Sequence, residues 1–346
     1  YKSTEPLQKP FIMNPFRFGG EVGGWVELGR TTLGGNSKYI TVSGLADKIY
    51  LHALGHCINT GYAAISTQVG NSTADTATNY ANRRNINGGT DSTSINRTSM
   101  NVTQSDQNSI FASTYISNVS NQEKLTIDHA VNQNNAGAAS VPIREQNVNK
   151  WSNTSNVIDI LRYFNGAGGN YTTGSEIVVL GWDPDDTSSS NFWEELASVD
   201  VTTGTTISTG DFTAKKYLMI QHYIASSAIS YDWQFNASTD TQTSTYSGRH
   251  NSNGTEYTQT NKNVLLENMG FGAHPHSGVM FVINNSSNEK LVMGNIVSEG
   301  TSTAGFAPNR TDMSYKWTNT TNQINNITML NSTNLDRFVM KVWGHD

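Results

Sequence analysis

The chain has 346 residues, with 22 Lys+Arg against 28 Asp+Glu, a formal charge of -6 and only 14% charged residues, well below the roughly 25% of an average soluble domain. Asn, Ser, Thr and Gly fill the deficit, and 36% hydrophobic with 10% aromatic content argues for a packed β-rich protein rather than a disordered one. No apolar run approaches the roughly 18–20 residues of a membrane-spanning helix, and scattered basic residues under a net negative charge argue against nucleic-acid binding.

In chain order, residues 1–23 read as an extended arm. Pro6, Pro10 and Pro15 interrupt helix there, while Phe11, Phe16 and Phe18 are suited to anchoring it to a neighbour. A first residue Tyr1 fits either a processed precursor or a start further upstream. Strand-like runs follow at 25–32, 39–42, 48–58, 63–69, 109–116, 124–131, 157–163 and 176–180, separated by Gly, Asn and Ser clusters. In the run 124–131 the alternation predicts Leu125, Ile127 and Ala130 facing inward and the polar residues outward. Residues 185–190 read as a linker. A second set of runs covers 192–201, 217–224, 229–235, 279–283, 290–297, 325–330 and 337–343. About eight strands in each of 24–184 and 191–346 predict an all-β protein of two tandem jelly-roll-like β-sandwiches.

The two sets of strands are related by an internal repeat. Glu289-Lys290-Leu291 follows Glu123-Lys124-Leu125 by 166 residues, and so do Lys316-Trp317-Thr318-Asn319 after Lys150-Trp151-Ser152-Asn153. Pro142 and Pro308 keep that spacing, as do Arg83-x-Asn85-x-Asn87-Gly88 and Arg249-x-Asn251-x-Asn253-Gly254. The offset becomes 168 near Trp25 and Trp193, and at Lys48 and Lys216. It is 163 between Gly181 and Gly344. Drifts of this kind are what loop insertions leave behind. A repeat this long is a whole sandwich, with Leu125 expected on Leu291 and Trp151 on Trp317.

Candidate chemistry is sparse. Cys57, the single cysteine, lies in an apolar run and reads as a buried hydrophobe. His52, His56 and His129 face Ile220, Ile224 and Asn295 at the local offsets, so no histidine recurs. His274-x-His276 has the spacing of a metal pair on one strand face but reads better as a polar loop. Asp183, Asp185 and Asp186 offer oxygens for calcium without its full spaced ligand set. Asp240 and Asp312 are ordinary. Glu123 and Glu289 recur, but a Glu–Lys pair in a turn explains them better than glycosidase carboxylates. Trp151 and Trp317 serve either as core residues or as sugar-stacking platforms, and Trp25 and Trp193 as packing residues. Arg83 and Arg249 suit a shared loop or a subunit contact. Asn-x-Ser/Thr sequons, as at Asn101, Asn153, Asn236, Asn319 and Asn331, are common in so Asn-rich a chain. The expectation is no catalytic residue, no cofactor and no metal.

The blocks at 25–30, 122–125, 150–153 and 174–184 resemble β-sandwich repeats of marine-virus virion proteins, and the tandem plan is similar to double jelly-roll major capsid proteins. That resemblance implies two rolls side by side, three chains to a capsomer, and a virion location. The expected function is therefore a non-enzymatic shell protein, whose partners are copies of itself, as a trimer or larger assembly, and other virion proteins. The alternative is a decoration or fibre protein binding host surface glycans through Trp151 and Trp317. A secreted carbohydrate-active enzyme is a third, weaker class.

Overall fold

The computed structural model describes residues 24–59, 61–103, 108–186, 190–225, 231–237, 243–265, 275–299, 303–331 and 334–346. The expected arm (1–23), His274 and Asp240 lie outside them. The described residues form an all-β protein of antiparallel sheets.

The first half contributes β1 (Val26–Thr32), β2 (Tyr39–Ser43), β3 (Tyr50–Ile58), β4 (Ile65–Asn71), β5 (Thr73–Ala74), β6 (Tyr80–Ile86), β7 (Ser92–Arg97), β8 (Met100–Asn101), β9 (Ser109–Ser117), β10 (Lys124–Asn132), β11 (Ile143–Trp151), β12 (Ile160–Asn165) and β13 (Glu176–Trp182). The second contributes β14 (Glu194–Val201), β15 (Thr206–Ser208), β16 (Tyr217–Ala225), β17 (Tyr231–Phe235), β18 (Tyr246–Ser252), β19 (Thr255–Lys262), β20 (His276–Ile283), β21 (Lys290–Ser298), β22 (Asn309–Trp317), β23 (Ile327–Asn331) and β24 (Arg337–His345).

Each half is a sandwich-like pair of sheets. The large sheets run β1-β13-β3-β9-β10-β11-β6-β7 and β14-β24-β16-β20-β21-β22-β18-β19, one order written twice. The small sheets, β2-β12-β4-β5 with β8 alongside and β15-β23-β17, also correspond. Each half thus holds more strands than the eight expected, divided eight and five in the first and eight and three in the second. The additional strands are polar, and composition alone reads them as loops. They include β6, β7 and β11 at one edge of the first large sheet and β18, β19 and β22 at the same edge of the second.

The correspondence extends to irregularities. Bulges interrupt β1 between Glu27 and Gly29 and β14 between Glu195 and Ala197. The hairpin turns Asn87-Gly88 and Asn253-Gly254 both take positive φ (51 and 72, 50 and 91), the geometry that Asn-Gly tolerates best. Asn85 and Asn251 accept from Gly88 N and Gly254 N at 3.1 and 3.0 Å. One sequence register needs correction. Tyr50 pairs with Ser117 and Tyr217 with Ile283, so β3 matches β16 at an offset of 167, and Lys48 matches Lys215 rather than Lys216. His52 and His56 therefore face Met219 and Tyr223.

Cores form where each large sheet meets its small one. Trp151 and Trp317 are buried at matching places. Lys124 and Lys290 run their stems over these indoles, with Nζ 5.9 and 5.7 Å from the ring centroids. Both ammonium groups donate to backbone carbonyls: Gln122 and Asn153 in the first half (2.6 and 3.3 Å), Asn288 and Asn319 in the second (3.0 and 2.7 Å). Buried Asn118 and Asn284 tie the end of β9 or β20 to the approach to the small sheet, accepting from Ile158 N at 2.7 Å and Ile324 N at 2.6 Å.

A third core lies between the halves. Leu54, Phe111, Val131, Val178 and Leu180 on the outer face of the first large sheet meet Tyr217, Met219, Ile283, Leu291, Met293 and Trp343 on that of the second. The molecule is thus a stack of four layers, with small sheets outside and large sheets inside. This is why β3 is buried on both faces.

Candidate functional site

Among the described residues the two large sheets do not cover each other fully, and an open face remains on the first. Ladder register places its side chains. Ile127 pairs with Tyr115 and Val148, and Val148 with Arg83. Leu125 pairs with Ser117 and Lys150 in the next row. Paired residues in a ladder share a face, so these two rows form one surface, opposite to the core-facing Lys124, Thr126 and Asp128. Leu125 is 56% exposed and Ile127 55% exposed. Together with Ile95 and Val148 they wall a groove of about 660 Å³, with Arg83 and Lys150 also lining it. The alternation in 124–131 is therefore real, and Ala130 is buried in the core as expected, but Leu125 and Ile127 face outward and the polar Lys124, Thr126 and Asp128 inward. They can do so because they are satisfied there. Asp128 accepts from Thr114, Thr126 and Asn149, and burial, opposed by those bonds, lifts its pKa to about 7.

The same strand in the second half has the opposite exposure. Leu291 and Met293, which match Leu125 and Ile127, are 0% and 1% exposed. The 133–142 connection of the first half covers part of this second face. Lys316 donates to the Gln133 and Asn135 carbonyls (3.2 and 2.5 Å), and Glu289 accepts from Gly137 N at 2.6 Å. Lys316 also lies 3.5 Å from Glu289. The matching pair Lys150–Glu123, at 2.9 Å, stands in solvent. The pair expected within each turn is not the one formed: Glu123 and Glu289 meet Lys150 and Lys316 of the neighbouring strand, while the adjacent Lys124 and Lys290 are buried on backbone carbonyls.

Most of the remaining candidates are engaged by neighbours within the fold. Lys48 bridges Asp183 (3.3 Å) and Asp186, and Asp183 Oδ1 accepts from Ile49 N at 2.5 Å. These carboxylates are thus engaged in a turn, while Asp185 joins no such bridge among the described contacts. Among the described residues no group of three or more His, Cys, Asp or Glu could hold a metal ion. Cys57 is buried, which pushes its thiol pKa up. His52 and His56 meet Ser113 and Ser109 hydroxyls at 2.8 and 2.7 Å, and burial holds both near pKa 3. Burial, with Arg144 nearby, lowers His129 to about 4. His276 is buried with its ring 5.6 Å from that of His222. Asp312 accepts from Asn295 at 2.6 Å. Trp25 packs on His52 and Tyr115 (5.6 and 6.1 Å), and Trp193 on Phe281 (6.0 Å). Asn236 is buried and accepts from Asn325 N and Asn326 N, so that sequon is closed in the fold.

Charged contacts join the halves. Glu176 meets Arg30 (3.1 Å), Lys216 (3.0 Å) and the Tyr217 hydroxyl (2.8 Å). Burial alone would raise its pKa, but the Thr32 hydrogen bond, the Lys216 charge and the Tyr217 hydroxyl bring it below the ordinary carboxylate value. Arg144 meets Glu256 at 3.1 Å, and Arg249 donates to the Pro142 carbonyl at 2.6 Å. Arg249 thus joins the two halves of one chain, whereas Arg83 lies on the open face.

No family model and no curated protein matches the chain. Among solved structures, mouse laminin alpha1 chain domains LG4-5 are similar at 9% identity over 93% of this chain and 84% of that one, with a TM-score of 0.21. A calcium-bound two-domain structure of extended-synaptotagmin 2 is similar at 6% identity over 86% and 97%, with a TM-score of 0.18. At these scores the likenesses bear on neither fold nor function.

Proposed function

We propose that the chain is a non-enzymatic structural protein that works by packing against copies of itself, as a major capsid protein in a virion shell. The observation that carries the assembly part is the open apolar face at Leu125, Ile127, Ile95 and Val148. Contiguous apolar surface of this kind marks an interaction site more often than a free surface. The shell setting rests on the sequence resemblance, and the repeated strand order is what a tandem duplication would leave. Stacking of the halves through their large sheets is an instance, within one chain, of such faces burying one another.

The glycan-binding alternative loses its stacking platform, because Trp151 and Trp317 are buried. The test is sedimentation of the full chain at rising concentration, with electron microscopy of the heaviest fraction. Trimers, sheets or closed particles are expected. A monomer at every concentration contradicts the proposal.

A further inference from the structure

We propose that the open face of the first half receives the turn at 303–308 from the second half of another copy of the chain. This rests on the self-assembly reading and names its surface and occupant.

The chain contains the model for this contact. The face of its own second half grips the 133–142 connection through that connection's backbone. Besides the Lys316 and Glu289 bonds, Asn261 N donates to the Ala138 carbonyl (2.9 Å), and Ser247 to that of Ser140 (2.8 Å). Contacts to backbone depend on the path of a turn more than on its side chains, so a turn of the same path can be held by the same grips. The first half carries them at the matching positions: Lys150, Glu123, Arg83, and Asn96, whose φ of 52 equals that of Asn261. Among the described residues they hold no connection there.

The occupant is defined by the same correspondence. Residues 303–308 match 137–142, with Ala304 on Ala138 and Pro308 on Pro142. Site and occupant differ together. Where the filled contact pairs the hydroxyl of Ser247 with Ser140, the open face has Ala81, and the matching turn has Phe306. Phe306 is 60% exposed. A polar contact is thus replaced by an apolar groove and an aromatic side chain of the size to enter it. The chain's own turn stands in solvent, while Glu176–Lys216 and Arg144–Glu256 hold the halves in place. The turn therefore comes from a neighbour. Such a contact is head-to-tail and propagates into a ring or an open array.

The test uses Ile127→Asp on the face and Phe306→Asp on the turn, both exposed positions, with thermal unfolding to check that each variant keeps wild-type stability. Mass is followed by analytical ultracentrifugation. The wild type should associate, each variant alone should lose that association, and an equimolar mixture should form a heterodimer, since one intact face and one intact turn remain. Association unaffected by either substitution overturns this surface and leaves self-assembly standing. A wild type that never associates removes both. A cross-link within one chain between introduced cysteines at 127 and 306, in protein that stays monomeric, replaces the neighbour's turn by the chain's own and overturns the proposal.

Discussion

Individual residues carry this fold through polar groups placed inside it. Trp151 and Trp317 each fill one core beneath a lysine that is itself buried. Truncating either tryptophan to alanine should cost about 3–5 kcal/mol, read as a shift in denaturant midpoint. The buried histidines make the protein acid-labile. His52 and His56 near 3, and His129 and His250 near 4, are held down first by burial. Unfolded histidine titrates near about 6.5. Their stabilisation is therefore complete above that value and is lost as the pH falls toward the folded values. Asp128 acts in the opposite sense. With a folded pKa of about 7, its contribution is complete below the unfolded value of about 3.9 and fades as the pH rises to neutrality. Between those limits Asp128→Asn should gain on the wild type by up to about 1.4 kcal/mol per pH unit. Equal pH slopes for the two proteins, in unfolding titrations from acid to neutral, would contradict this placement.

At the scale of elements, the sequence made the repeat legible because register is conserved where side chains alternate. Lys124-Leu125 and Lys290-Leu291 do occupy the same ladder positions, opposite Trp151-Lys150 and Trp317-Lys316. Hydrophobicity alone points Leu125 and Ile127 the wrong way. A strand that buries Lys124, Thr126 and Asp128 among hydrogen-bond partners looks inside out. Strands β6, β11, β18 and β22 were hidden for the same reason, since their buried Asn, Arg and Ser residues read as loop. The open face could not be read from one half alone: Leu125 and Leu291 are the same residue in the same register, and only the stacking of the halves separates them. Leu125→Glu should therefore change stability by less than about 0.5 kcal/mol. Leu291→Glu should cost several-fold more, because it buries a carboxylate in the core between the halves, where its ladder neighbour Lys316 is already engaged by Glu289 and by two backbone carbonyls. Equal costs in parallel denaturation curves would mean that the two faces are covered alike.

At the scale of the whole molecule, two sandwiches with their own cores are joined by a third core between them. Glu176 is one electrostatic tie, with Lys216 and Tyr217 reaching it from the second half. Glu176→Gln should destabilise the chain by less than the roughly 3–5 kcal/mol of a fully buried broken pair, because Lys216 keeps partial access to water. A double-mutant cycle with Lys216→Met should give a non-zero coupling; additive losses would remove the tie. The central claim is that one large-sheet face is closed within the chain while its counterpart waits for a neighbour. Hydroxyl-radical footprinting across a concentration series measures this directly. Leu291 and Met293 should be protected throughout, with Leu125 and Ile127 labelled in the monomer and protected as the chains associate. Protection of Leu125 and Ile127 in the monomer, or their continued labelling in the associated form, would contradict it.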